Sequence, residues 1–572
     1  MQIWLFRAIA ILLPLLLLIS AEWLLRLGFA SAQTPLFIPH PAAPAYWVTE
    51  PDITRRYFAE NAARPPVKME PGFVLRDKPA DSMRLVVQGG STAAGYPYGV
   101  GASLAGMLEQ RLKRTLPDKH IEVVNTALSA VNSYTLLDLS DDILSIQPDA
   151  VLIYAGHNEY LGILGVGSSY LTSQSPAATL LWLKLRKLEL YRLLERGYQA
   201  LFSAEPSPAS ERRTVMATVA RHKDIALNSA RYQAGLQQFE QNMRLLLRRY
   251  QQAGVPVYLA TIASNLADQS PFNSLPAVPD NLATLQQLTA ILQPNPTDSA
   301  ALQQLTKLAE ATTDSASWHY QLGQLYLQLQ HAAAAKQQLT LARDLDLLRF
   351  RAPSAINDII RRLAAEYNAV LVDAEQALAQ QSEHGIIGKK MMLEHLHPTI
   401  EGYFVLADSF YQALFQQRQF GRWPKPVPTQ FAWLERPILP AEEFAGVLRI
   451  AQLTADYPFQ ATPQPVNFPP AENAQQQLGR RYIDGELDWL SMLQHSARYY
   501  QQQQDGDMLL KSLKIIADAL PQDSMANLQA GQILLQAKRY GEARSYLKRS
   551  LLSSAPPPQA KALLQQLAAA KP

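Results

Sequence analysis

The chain has 572 residues, 48% of them hydrophobic and 18% charged, which allows about three to five domains and is too apolar for a disordered chain. Lys+Arg 52 against Asp+Glu 49 leaves +3, a balance that argues against a nucleic-acid partner bound by phosphate neutralisation. With Cys 0, a disulfide scaffold, a thiolate metal site, an iron–sulfur cluster and a cysteine nucleophile are excluded.

Residues 1–32 read as a membrane address. AIAILLPLLLLISA (8–21) carries no charge, Arg7 precedes it, and the apolar texture resumes after Glu22 as WLLRLGF. Ala30-Ser31-Ala32 has the small-x-small form of a signal cleavage site. A cleaved signal peptide and an uncleaved anchor both fit. Residues 3–27 reach the length of a span with Arg7, Glu22 and Arg26 near the ends, which favours the anchor. Either reading sends the rest of the chain out of the cytoplasm, to the periplasm or cell surface.

Residues 33–80 are Pro-rich and read as a spacer packed on the domain they introduce. Five β-branched apolar runs follow: MRLVVQGG, IEVVNTAL, DAVLIYAG, VPVYLATIAS and AVLVDAE. Amphipathic helical stretches separate them. Continuously apolar strands alternating with helices predict an α/β fold, a parallel sheet covered on both faces. Reactive residues of such sheets lie beyond the carboxyl ends of the strands.

Residues 276–348 interrupt the alternation. Leu322, Gly323, Tyr326, Ala335, Leu339 and Ala342 match the tetratricopeptide offsets, as do Ala530, Gly531, Leu534, Ala543 and Leu547 near the end. Ordinary helical hairpins are the plainer alternative. The predicted organisation is a first catalytic part at 81–275, a helical insert at 276–348 and a second catalytic part at 349–422. A Pro-rich linker at 423–475 and C-terminal helical repeats at 476–572 complete it.

The chemistry gathers at the strand ends. Ser91 directly follows Gly89-Gly90 at a strand-to-helix turn, which exposes its hydroxyl. The ending Lys-Ser/Thr of a phosphate-binding P-loop is absent. NTALSA follows the second strand and GHNE the third. Gly156 allows close backbone approach there, and Asn158 points its amide over the sheet edge. In EHLH, Glu394 lies three residues before His397, a spacing that sets a carboxylate against the imidazole. His397 is preferred over His395 because Pro398-Thr399 looks like a helix start.

These four blocks, GGST, NTALSA, GHNE and EHLH, resemble those of the SGNH (GDSL-type) hydrolase family over about residues 81–275 and 349–420. The resemblance implies a three-layer, flavodoxin-like α/β fold and acyl-ester chemistry without metal or other cofactor. By position, Ser91 would be the nucleophile, His397 the general base and then acid, and Glu394 its orienting carboxylate. The oxyanion hole would use the N–H groups of Ser91 and Ala130 and the Asn158 amide. Gly90 and Gly156 would support the turns. Three residues depart from the family pattern: Gly90 stands where Asp is frequent, Ala130 where Gly is usual, and Glu394 where Asp is usual.

Glu394, His395 and His397 also cluster as metal ligands would, with Asp373 ending the preceding strand. A zinc helix needs His at i and i+4, which this is not. Ser264 and Asn265, after the fourth strand, are expected to face the same edge and the substrate, and Arg349 and Arg351 either to bind an anionic substrate or to be surface or interdomain charges. The expected activity is an extracytoplasmic serine esterase acting on O-acyl esters of a polysaccharide or lipid, with O-acetyl groups of a cell-envelope glycan in view. An O-acyltransferase using the same site and a non-catalytic helical-repeat scaffold of the envelope are the alternatives. The repeats would take a protein partner, and the N-terminal segment a membrane.

Overall fold

The computed structural model describes residues 2–28, 34–58, 65, 67–168, 175–202, 214, 216, 224–310, 313–418, 420–423, 425–553 and 555–569. The chain opens with helix α1 (Gln2–Gly28). The Ala30-Ser31-Ala32 segment lies outside the described residues.

The stretch read as a spacer instead holds a small antiparallel sheet. Strands β1 (Phe37–Pro39), β2 (Tyr46–Thr49) and β3 (Phe73–Leu75) pair in that order. A buried ion pair pins this sheet to the main domain. Arg84 Nε donates to Glu122 Oε2 at 2.6 Å and Arg84 Nη2 to the Leu75 carbonyl at 2.8 Å. Glu122 Oε1 accepts the Leu75 N–H at 2.8 Å. Each charge is both paired and hydrogen-bonded, the condition under which a buried charge is tolerated.

Five parallel strands follow: β4 (Ser82–Gly89), β5 (His120–Asn125), β6 (Ala150–Tyr154), β7 (Val257–Ala260) and β8 (Val370–Val372). Their spatial order is β5-β4-β6-β7-β8. In chain order this is the 2-1-3-4-5 arrangement of a flavodoxin-like sheet, with its switch point between β4 and β6. Val86, Val87, Leu152, Ile153 and Leu259 are wholly buried. Each such side chain stabilises the fold by roughly 1.5–3 kcal/mol.

The short α2 (Ser91–Ala94), α3 (Leu104–Thr115) and α4 (Ser133–Ser145) come next. They are followed by α5 (Pro176–Leu185), α6 (Glu189–Phe202) and the long α7 (Ala230–Gln252). The insert contributes α8 (Pro279–Leu292), α9 (Ser299–Ala309), α10 (Ala316–Gln328) and α11 (Ala332–Leu345). Then come α12 (Ser354–Glu366), α13 (Ala374–Gln380) and α14 (Ile400–Gln417). Helices α4, α7 and α12 pack as one layer; α3, α13 and α14 form the other. The result is a three-layer α/β fold.

The Pro-rich stretch after Trp423 is not a plain linker. It contains α15 (Thr429–Leu434) and α16 (Pro440–Thr454). Leu439 and Ala441, at the start of α16, join the core of the C-terminal helices rather than that of the sheet. Those helices are α17 (Ala474–Ile483), α18 (Trp489–Gln502), α19 (Gly506–Ala519), α20 (Ser524–Gln536), α21 (Tyr540–Ser550) and α22 (Pro558–Ala569). The α10–α11 and α20–α21 hairpins share one packing device. A side chain on Gly323 would meet Leu339, and one on Gly531 would meet Leu547, both within 2.8 Å and at the same separation in sequence. Small residues at these points let the paired helices approach closely.

Candidate active site

The nucleophile block starts where β4 stops. A side chain on Gly89 would lie 2.2 Å from the Tyr154 carbonyl, so only glycine lets β4 end against β6. Gly90 precedes α2 in extended conformation, and Ser91 is the first residue of that helix. The N–H of a first helical residue has no intrahelical acceptor and is available to an anion.

After β5, Asn125 Oδ1 accepts the Ala127 N–H at 3.1 Å, and Asn132 caps α4 through the Tyr134 N–H at 3.2 Å. Between them Ala130 holds φ +60°. That left-handed conformation costs an alanine roughly 1–2 kcal/mol and explains why glycine suits the position. Among the described residues the Ala130 N–H has no acceptor, while its carbonyl takes the Ile163 N–H at 2.7 Å.

After β6, Gly156 has φ +151°, and a side chain there would strike Ile262 and Ile356. The turn His157–Glu159 follows. Asn158 Nδ2 lies 3.0 Å from the point a Gly90 side chain would occupy, which sets the amide beside the Ser91 turn. This amide has no hydrogen-bond partner among the described residues. Gly162 packs the carbonyls of Asn158 and Ala130 together, with room for no side chain (2.6 and 2.8 Å).

The last block is a tight loop between α13 and α14. The Leu393 N–H donates to the His397 carbonyl at 2.8 Å, and the Thr399 N–H to that of Met391 at 2.9 Å. Thr399 caps α14 through the Gly402 N–H at 3.1 Å. His397 Nε2 sits 2.8 Å from Ser91 Oγ, and its Nδ1 contacts Glu394 Oε1. Glu394 Oε2 contacts Nδ1 of His395, and each carboxylate oxygen also accepts a backbone N–H, from His395 at 2.5 Å and His397 at 3.1 Å. The Tyr96 ring flanks the His397 ring at 4.7 Å.

Burial pushes the His397 imidazole down to about 3, so the resting group is a neutral base. Burial also lowers His157, to about 3, and His395 well below its usual value. Glu159, next to Asn158, is raised to about 7 by burial, against hydrogen bonds from Gln238 and Ser133. Gln238 Nε2 and Ser133 Oγ both donate to Glu159 Oε1, at 2.6 and 2.7 Å. This network, absent from the sequence reading, ties the start of α4 to the Asn158 turn and to α7.

The three polar atoms of Glu394, His395 and His397 lie within 4.8 Å of one another, as metal ligands can. Both ring nitrogens of His397 are engaged, Nδ1 by Glu394 and Nε2 by Ser91 Oγ.

Two expectations are corrected. Arg351 is buried and spent internally: Nη1 donates to the Asn265 and Gln269 carbonyls, both at 2.9 Å, and Nη2 to Asp346 at 3.1 Å. Arg349 is likewise held by the Ile225 and Asp344 carbonyls. Neither is free to bind an anionic substrate. Ser264 and Asn265 are also buried, and the Asn265 N–H donates to the His395 carbonyl at 2.9 Å. They back the histidine loop from behind. His395, the less favoured of the two histidines in the sequence, shares Glu394 with His397 inside a cage of Phe272, Phe350 and Phe459 rings, centroids 5.4–6.0 Å away.

The sheet order and the Ser91–His397–Glu394 contact at its carboxyl edge agree with the arrangement that the resemblance to SGNH (GDSL-type) hydrolases implies. No protein-family profile and no curated protein matches the chain. Among solved structures it is similar to the acetyl xylan esterase AlAXEase, at 13% identity over 58% of this chain and 100% of that one, TM-score 0.28. It is also similar to the acetylxylan esterase Axe2 from Geobacillus stearothermophilus, at 13% identity, 61% and 99% coverage and TM-score 0.28. A GDSL-like lipase from Parabacteroides merdae matches at 10% identity, 59% and 98% coverage and TM-score 0.29. The functional reading rests on the site geometry instead.

Proposed function

We propose that the protein is an extracytoplasmic serine esterase that cleaves O-acyl esters, with O-acetyl groups of a cell-envelope glycan as its substrate class. One observation carries this: Ser91 Oγ lies 2.8 Å from His397 Nε2, with the Asn158 amide, unpartnered among the described residues, beside the Ser91 turn. Ser91 Oγ attacks the acyl carbon, and its proton passes to His397 Nε2. Glu394 stabilises the imidazolium so formed. The carbonyl oxygen, now an anion, receives the N–H groups of Ser91 and Ala130 and the Asn158 amide. Collapse breaks the C–O bond, and His397 returns the proton to the departing sugar alcohol. Water then repeats the sequence on the acyl-enzyme and releases the carboxylic acid. A second alcohol in place of water would make the same site an acyltransferase.

The Ala130 methyl narrows the entry to the oxyanion hole and favours a small acyl group. The helical insert and C-terminal helices supply surface for a polymer or a protein partner. The N-terminal helix is read as an uncleaved anchor. It contains an 18-residue stretch, Ala10–Leu27, of mean hydropathy 2.0 with no burial. Its far end is also used in the fold: Glu22 accepts the N–H groups of Glu189 and Leu190, at 3.1 and 2.9 Å. Release of acetate from acetylated glycans, compared with longer acyl esters, tests the assignment. Transfer to an added glycan without free acetate would select the transferase instead.

A further inference from the structure

Helix α6 is turned inside out for a soluble domain. Leu193, Leu194, Gly197, Tyr198 and Leu201 fall within one stripe of about 140° on a helical projection. That apolar stripe faces outward: Leu194, Tyr198 and Leu201 are 65%, 66% and 77% exposed. The polar side faces in. Glu189 is buried, and Glu195 pairs with the buried Arg186, whose guanidinium also reaches the carbonyls of Arg56 and Phe58. The preceding α5 adds the exposed Leu181, and the turn after it Leu188, with Trp182 stacked on Arg186 at 5.0 Å.

The place of this face in the fold selects its occupant. Helices α1 and α6 pack together, and the Glu22 carboxylate caps the start of α6. Glu22 lies about 8 Å of helix before Leu27, where the apolar stretch of α1 ends. The start of α6 is thereby held within about 8 Å of the level where a spanning α1 would leave the hydrocarbon. Around the same junction the half-exposed Arg26 and Lys187 pair with Glu22 and Asp138, and the exposed Lys184 adds a basic group that suits anionic headgroups.

We propose that α5 and α6 lie in the membrane–water interface beside α1, with the Leu193–Leu201 stripe among the acyl chains of an anionic bilayer. This rests on the reading of α1 as an anchor. It makes the membrane contact a hairpin and a span together, and fixes the orientation of the catalytic domain on the surface instead of leaving it on a tether.

The absence of cysteine makes the test clean. Leu194→Cys, Tyr198→Cys and Leu201→Cys are each labelled with an environment-sensitive fluorophore in the full chain. Leu16→Cys reports on α1, and Lys307→Cys on an exposed turn of α9. The labelled proteins are placed in phosphatidylethanolamine–phosphatidylglycerol vesicles with and without acyl-brominated lipid. The expected result is blue-shifted emission quenched by bromine at 194, 198 and 201, as at 16, and neither effect at 307. Quenching at 16 alone overturns the proposal and leaves the anchor standing. No quenching at 16 overturns both. Blue-shifted but unquenched probes on α6 mark a protein partner or a second copy there, and overturn the lipid assignment.

Discussion

Glu394 gives one carboxylate oxygen to His395 while the other serves His397. The ring of His395 is caged by Phe272 before the helical insert, Phe350 after it and Phe459 beyond α16. The two flanks of the insert and the segment after α16 thus border the group that shares a carboxylate with the proposed base. Replacing His395 by Ala removes that steadying contact without touching substrate. A fall in kcat of about tenfold, equivalent to about 1.4 kcal/mol, is expected with KM little changed. Phe459→Ala should give a smaller loss of the same kind. Steady-state kinetics on a soluble acetyl ester, with circular dichroism as the fold control, checks both.

Asn158 is the one side-chain donor assigned to the oxyanion. Asn158→Ala should lower kcat by about 10²–10³, or roughly 2.7–4 kcal/mol, and leave KM nearly unchanged. A rise in KM at constant kcat would assign the amide to ground-state binding instead.

The depressed imidazoles set two pH dependences. His397 must be neutral to accept the Ser91 proton, and burial holds it below 6.5. The acid limb of kcat/KM is therefore expected below 6.5, activity being lost as pH falls through the lowered value. His157 acts on stability. Its folded value is near 3 against 6.5 for the ordinary group, so below 6.5 the unfolded chain binds the extra proton. The stability it allows is present above 6.5 and lost as pH falls. Wild type should lose about 1.4 kcal/mol per pH unit relative to His157→Leu below that point, measured by urea unfolding.

Ala130→Gly relieves a left-handed alanine and removes its methyl from the entry. Acetyl esters should turn over at a similar rate, while butyryl and longer esters gain. Equal gains across all chain lengths would place the size limit elsewhere, the Tyr96 ring being the next candidate.

The five parallel strands are legible in the sequence because each is a continuous β-branched run bounded by glycine or polar residues. The small β1–β3 sheet is not, since its strands of three or four residues find partners across loops that carry no periodic signal. Helix α16 hides behind the proline-rich texture around it, although its Pro440 is a helix-starting residue and its apolar spacing is helical. Ser91, Asn158 and His397 stand out through glycines and helix starts at strand ends. Spacing alone cannot show that one carboxylate serves two imidazoles. Nor can it show that Arg351 is consumed by loop carbonyls, which depends on the turn Asn265–Ser270 folding over it.

The proposed esterase stands on Ser91 as its nucleophile. Its most direct test is acetyl-ester turnover by the full chain in detergent, wild type beside Ser91→Ala. Turnover is expected in the wild type, and its loss in a folded Ser91→Ala variant. Turnover that persists without the Ser91 hydroxyl would contradict it.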